Sequence, residues 1–366
     1  MIRIETGACA ILEAPETRAT LIPEWWEAPR MQPIHQEERP TRVMRRPLAT
    51  RPYAGESDLP AIIELLLAHK ATSAQPERPS VAELRSALDS AHQAPTLATR
   101  LWITSSGTLV AFALLRGSQA SAHLTVIIHP QERASDRWLA ILDEIVIWAL
   151  TQAGDLARKR GHAMTLTVEC SNADEALAQQ LVAHGFKPRA GESVWLARSL
   201  DDKADLANSS LPAGYRLRMA RSDEAELAAY VMLFNEAFAS DSVNRLTVSQ
   251  RRAFLADADH VPELDLVVEA PDGTPAGFVR CVSHAEERER LGRREGEVAQ
   301  LGVAPAHQRM GLGRALLRVG LHALRESGAS LALLRARTDN HAAQQLYTAE
   351  GFTARSHVTT FAQVME

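Results

Sequence analysis

One stretch of this chain leaves little freedom of fold. From Glu297 to Leu317 it reads EVAQLGVAPAHQRMGLGRALL. A short apolar run, Val298 to Val303, is stopped by Pro305, which cannot donate to a strand ladder. A compact turn with Gly311 and Gly313 follows and passes into a helical pattern. A strand that ends in a glycine-bearing loop and feeds a helix is an anion cradle. The first helical turn leaves backbone N–H groups unpaired, with a partial positive charge at that end. Glycine suits the loop because a Cβ would hold a phosphate away from the backbone.

The rest of the chain supplies the same elements twice. At 366 residues two domains are expected. Residues 1–48 carry six prolines among charges and read as an extended or disordered arm. Its Trp25-Trp26 pair reads as an anchor, on the chain's own domain or on a partner. From residue 49 to 200 the periodicity predicts a strand, two helices, three strands, a long helix, a strand, a helix and a closing strand. A polar segment, 201–212, reads as a linker. The same order returns over 213–366. There Ala285–Gly296, crowded with Glu and Arg, reads as a solvated hairpin tip, and the C-terminus as a last pair of strands. The punctuation repeats in step. Ile128-His129-Pro130 stands 175 positions before Val303-Ala304-Pro305, and Arg133 the same distance before Gln308. Gly185-Phe186 stands 166 positions before Gly351-Phe352. The expected fold is therefore α/β, with mixed α+β sheets in two tandem copies rather than a solenoid.

Composition narrows the function. A net charge of −5 gives no reason to expect nucleic acid or an anionic membrane as partner. The three cysteines, Cys9, Cys170 and Cys281, are far apart and outside any Cys/His cluster. That predicts no metal and fits a reducing cytoplasm. No apolar run approaches the roughly 20 residues of a membrane span. The expectation is a cytoplasmic protein, monomeric or homodimeric.

Val303-x-Pro305-x-x-Gln308-x-x-Gly311-x-Gly313 resembles motif A of the GCN5-related N-acetyltransferases. Asn340-x-x-Ala343-x-x-Leu346-Tyr347 followed by Gly351-Phe352 resembles the second signature of that family. The tandem layout is similar to that of mycothiol synthase-like acetyltransferases, which pair a degenerate N-terminal copy with an active C-terminal one. The resemblance implies two acyl-CoA N-acyltransferase domains and acetyl-CoA as cosubstrate. It places the pyrophosphate on the loop Gln308, Arg309, Met310, Gly311, Leu312, Gly313 and Arg314, with Arg309, Arg314 and Arg318 basic enough for phosphates. Arg309 stands where the family usually has glycine. The resemblance also implies that the strand splays from its neighbour, so that backbone groups of Leu301 and Val303 pair with the pantetheine arm, with Gly302 permitting a bulge. Leu301 N–H would polarise the thioester carbonyl. Asn340 belongs to the second signature and the cofactor side. Tyr347 matches the family's acid for the leaving thiolate, and Glu297 the base of some branches, with His284 a second candidate base.

The N-terminal copy departs from this pattern. Asp136 and Trp138 stand where Gly311 and Gly313 would, and Leu181-Val182 replaces Leu-Tyr. An aspartate repels phosphate and a tryptophan fills its space, so this copy is expected to be structural. The function implied is acetyl transfer to a primary amine by direct attack in a ternary complex. The alternative is a non-catalytic acyl-CoA sensor or assembly subunit. The acceptor is a small-molecule or peptide amine, for which Asp241, Glu286 and Glu297 are candidate partners.

Overall fold

The alternating strand and helix patterns are realised twice in succession. The computed structural model describes residues 48–73, 79–89, 97–117, 120–201, 211–239, 245–256 and 260–366. The arm with Trp25-Trp26 and Cys9, most of the 201–212 segment, and Asp241 lie outside the described residues. The first half runs β1 (Ala49–Arg51), α1 (Leu59–Thr72), α2 (Val81–Asp89), β2 (Leu97–Ile103), β3 (Leu109–Gly117), β4 (Ser121–Ile128), α3 (Pro130–Arg133), α4 (Trp138–Arg160), β5 (Met164–Ser171), α5 (Glu175–Ala183), β6 (Lys187–Pro188) and β7 (Ser193–Ser199). The second runs β8 (Arg216–Met219), α6 (Glu224–Ala237), α7 (Val248–Leu255), β9 (Asp265–Glu269), β10 (Pro275–Val282), α8 (Ala285–Leu291), β11 (Glu295–Val303), α9 (Leu312–Glu326), β12 (Leu331–Arg337), α10 (His341–Ala349) and β13 (Thr353–Met365).

These strands join one sheet in the order β1-β2-β3-β4-β5-β13-β7-β12-β11-β10-β9-β8, with β6 beside β13. Neighbours are antiparallel except β4–β5 and β11–β12, which are parallel. The closing strands are exchanged. β7, last of the first half, pairs with β12 from Leu331↔Ser199 to Arg337↔Ser193. β13, last of the second half, pairs with β5 from Val358↔Ser171 to Met365↔Met164. The expected last pair of strands is a single strand of 13 residues. No turn interrupts it. A register shift at Ala354/Ser356 bends it past β7, and its second part continues into the other half.

The cores follow the exchange. Val194, Leu196 and Leu200 are buried with Leu301, Leu316 and Tyr347 of the second half. Phe361 is buried with Trp102, Ile145 and Leu166 of the first. Helix α9 contributes Leu312, Leu316, Leu317, Leu321 and Leu324 at helical spacing to the second core. Each fully buried leucine stabilises by about 1.5–3 kcal/mol relative to an exposed one.

The segment Ala285–Gly296 is not a solvated tip. Its first part forms α8, which lies on α1 and α2 of the other half. Glu286 meets Arg85 (3.0 Å), Arg290 meets Glu64 (2.6 Å), and Glu287 meets Lys70 (3.4 Å). Glu287 Oε1 also accepts the Val81 N–H at the start of α2 (2.8 Å). Arg293 donates to the carbonyl of Lys70 (2.7 Å). The charges that look solvent-directed in sequence find opposite partners some 200 residues away. Among the described residues no helix is long and apolar enough to cross a membrane.

Candidate active site

The site opens where two parallel strands part. β11 and β12 pair only from Glu295↔Leu331 to Glu297↔Leu333. From Val298 to Val303, β11 continues on β10 alone. The Ala304 N–H donates to the Ala276 carbonyl (2.9 Å). This sets the phase of the antiparallel ladder. Gly302 and Gln300 bond toward β10, and Leu301 and Val303 turn their backbone groups into the gap. Gln308 Nε2 donates to the Val303 carbonyl there (3.1 Å), so that side chain folds the loop back onto the strand.

Gly302 does not mark the bulge. The extra residue is Ala299, since Arg280 faces Gln300 while Cys281 faces Val298. Glycine is needed at 302 because the Phe278 ring lies over it, and a Cβ would come within 2.5 Å of that ring.

Beyond Pro305 the loop makes two left-handed steps, at Arg309 (φ 62°) and Gly311 (φ 85°). A Cβ on Gly311 would meet nothing within 4 Å, so its demand is conformational and the space above it is open. Arg309 holds a left-handed conformation that favours glycine, at a cost of about 1–2 kcal/mol. Helix α9 then starts at Leu312 with no side-chain cap. Its leading N–H groups, on Leu312, Gly313 and Arg314, have the disposition of an anion site. The loop is held from behind by Tyr215, whose hydroxyl bonds His307 Nδ1 (2.9 Å) and donates to Met310 Sδ (3.5 Å).

The three arginines divide. Arg314 and Arg318 both turn to Glu350, a carboxylate only 5 % exposed. Arg318 binds it through Nε (2.7 Å) and Nη2 (3.1 Å), and Arg314 through Nε (3.1 Å). Arg309 makes no ion pair among the described residues. The expected trio of phosphate-facing cations is therefore one loop arginine and two that hold α9 to the end of α10. Asn340 caps α10, its Oδ1 accepting the Ala343 N–H (3.2 Å).

Tyr347 is fully buried in the core that also holds Leu301, Val303 and Leu312. Its hydroxyl has no hydrogen-bond partner among the described residues. Burial pushes that hydroxyl well above its ordinary pKa, so it carries its proton through the neutral range. Its ring meets Phe352 edge-on at 5.9 Å.

Glu297, 4 % exposed, stands directly across from Val282. His284, just past the end of β10, brings Nε2 to 3.4 Å from Glu297 Oε2. Its backbone is left-handed (φ 38°), and its Nδ1 is buried without a hydrogen-bond partner among the described residues. The two candidate bases thus form one pair. Glu286 instead belongs to the contact with Arg85. Arg280 and Gln300, absent from the sequence-derived candidates, share the face of Glu297. The signal was there, an arginine between apolar Val279 and Cys281 on a strand.

In the first half β4 and β5 also part, after Leu124↔Val168. Here Arg133 is ion-paired with Asp174, and its guanidinium lies over the Trp138 ring (5.4 Å). What remains is a cavity of about 140 Å³ lined in part by Trp138, Glu169, Trp195 and Arg335. Ligand pockets generally span ~300–1,000 Å³.

The acetyltransferase (GNAT) family model matches residues 221–352. A mycothiol acetyltransferase of Streptomyces griseus subsp. griseus is 30 % identical over 256 residues, covering 69 % of this chain and 75 % of that protein. One from Kineococcus radiotolerans is 34 % identical over 209 residues, covering 54 % of this chain and 65 % of the relative. Among solved structures, a GCN5-related N-acetyltransferase from Sphaerobacter thermophilus superposes with a TM-score of 0.65 at 18 % identity, over 87 % of this chain and 95 % of that one. A tandem GNAT protein from the clavulanic acid biosynthesis pathway gives 0.65 at 19 %, over 87 % and 98 %. At such identities the structural likeness speaks for the tandem fold alone. With the relatives it leads to one conclusion: the chain belongs to the GCN5-related N-acetyltransferases, acetyl-CoA-dependent enzymes, in a tandem-domain form.

Proposed function

We propose that the second half, residues 213–366, transfers acetyl from acetyl-CoA to a primary amine, and that the first half, 49–200, is structural. The observation that carries this is the gap beyond Glu297. It offers the backbone of Leu301 and Val303 on one side and ends at the uncapped start of α9. In the first half the corresponding loop has its arginine ion-paired and Trp138 in place of a glycine. That these relatives are named mycothiol acetyltransferases supports a small-molecule amine as acceptor.

In this reading the loop backbone from Arg309 to Arg314 receives the pyrophosphate, and Gln308 and Asn340 fix the loop and α10 around it. Leu301 and Val303 pair with the pantetheine arm, and Leu301 N–H polarises the thioester carbonyl. Glu297 takes a proton from the acceptor ammonium. The neutral nitrogen attacks the carbonyl carbon, a C–N bond forms and the C–S bond breaks. Tyr347, still protonated, gives its proton to the departing thiolate, and the second proton, shed by the acylated nitrogen as it becomes an amide, restores the Tyr347 hydroxyl. No acyl-enzyme is needed, so both substrates are present together.

Steady-state kinetics on single variants test this. Tyr347→Phe is expected to lower kcat by about 10²–10⁴-fold, the range of a general acid, with little change in KM for acetyl-CoA. Glu297→Gln is expected to lower kcat/KM for the amine and to remove its dependence on pH on the acid side. Unchanged turnover in both variants across the pH range overturns the assignment. Acetyl-CoA binding with no transfer to any amine overturns the enzyme reading in favour of a sensor.

A further inference from the structure

The acceptor face of the site carries a cation that nothing above uses. Residues 278, 280 and 282 of β10 share one face, because strand side chains alternate. Phe278 packs under α6 on that face, with Tyr230 and Phe234. Val282 stands across from Glu297, and Arg280 across from Gln300. Arg280 and Glu297 are therefore diagonal neighbours on one face, about 7–8 Å apart along the backbone and somewhat closer at Cβ.

Arg280 is built in rather than loose. Its Nε donates to Gln300 Oε1 (3.0 Å), and its guanidinium lies 4.4 Å from the centre of the Phe254 ring on α7. Together these fix the plane of the fork and leave the edge with Nη1 and Nη2 unclaimed. The nearby Arg251 is already neutralised by Asp265, at 2.6 Å in a fully buried pair. Arg280 has no such carboxylate among the described residues. Partial burial pulls its pKa down, against the opposing charges of Asp265 and Glu297. Close by, Tyr230 Oη and Asp265 Oδ1 are buried without hydrogen-bond partners among the described residues. A half-buried guanidinium with no ion pair among the described residues is a ready partner for an anion that reaches it.

We propose that Arg280 is the specificity residue for the acceptor, and that the acceptor is an amine bearing a carboxylate close to its nitrogen, an amino acid in chemical class. The ammonium goes to Glu297 and the carboxylate to the free edge of Arg280, which matches a planar carboxylate in two parallel hydrogen bonds. The short diagonal between the two residues selects a compact zwitterion over a long diamine. This rests on the transfer site proposed above.

The test compares matched acceptors on the full chain: L-amino acids, each against its carboxamide, with acetyl-CoA and free thiol release as readout. In the wild type the carboxylate member is expected to have a kcat/KM at least tenfold higher. That ratio falls toward one in Arg280→Met and stays intermediate in Arg280→Lys. Carboxamides that match or surpass the acids in the wild type overturn the proposal, and this comparison needs no variant to fold. So does a ratio in Arg280→Met equal to that of the wild type. Acetyl-CoA binding, followed separately by calorimetry, distinguishes the failures. Transfer without carboxylate preference sinks only the subsite, whereas bound acetyl-CoA with no transfer to any amine sinks the site with it.

Discussion

His123 stands on β4 in the first half, with Nδ1 3.2 Å from Thr167 Oγ1. Burial lowers its pKa from 6.5 to about 4; Arg116 and Arg335 add to the shift and Glu169 opposes it. Between these values the unfolded chain binds a proton that the folded chain refuses. Stability therefore rises with pH through that window and is lost as pH falls from about 6.5 toward 4. The loss is up to about 3 kcal/mol at 1.36 kcal/mol per unit. Urea unfolding at pH 7 and pH 4.5 is expected to show it, and His123→Gln to lessen the slope. Equal slopes in the two proteins would remove His123 from the account. Single residues of the site were unevenly legible. Gly311 could be read because a left-handed step at a strand–helix junction has few other solutions. Arg314 and Arg318 show that charge type in a sequence does not name its partner, here Glu350. Glu297 and His284 looked like alternatives because their contact depends on a bulge at Ala299 that no pattern announces.

At the scale of elements, periodicity located most helices and strands, since each buries one stripe or one face. It failed at α8, whose Glu and Arg residues serve long-range contacts instead of water. Glu287 joins Lys70 and the first turn of α2 while largely buried. Glu287→Ala removes a largely buried carboxylate that meets Lys70 and accepts the Val81 N–H, a loss expected to cost about 1–3 kcal/mol. His284 is the residue at the head of α8, and it touches Glu297. Loosening α8 is therefore expected to lower kcat/KM for the amine by more than it raises KM for acetyl-CoA. Denaturant unfolding and kinetics on the same variant check both effects. A stable variant with ordinary amine kinetics would show that α8 neither joins the halves nor steadies the base.

For the whole molecule, the duplicated order was plain from repeated Pro and Gly-Phe punctuation, yet the exchange of closing strands was not. Both halves carry a suitable last strand, and hydrophobic alternation is the same whichever sheet receives it. What decides is three-dimensional: β7 fills the slot beside β12, and β13 must run on to β5. The halves then cannot be independent in stability. Phe361 belongs by sequence to the second half and by packing to the core of the first, where it is 3 % exposed. Phe361→Ala is expected to cost about 3–5 kcal/mol, as deletion of a buried aromatic does. Because β13 lies between β5 and β7, that loss should reach both halves. Hydrogen exchange is expected to speed up in β5 and in β12 together, and unfolding to remain a single transition at a lower midpoint. Faster exchange confined to β12, β11 and β10, with β2 to β5 as protected as before, would mean that each half closes its own sheet.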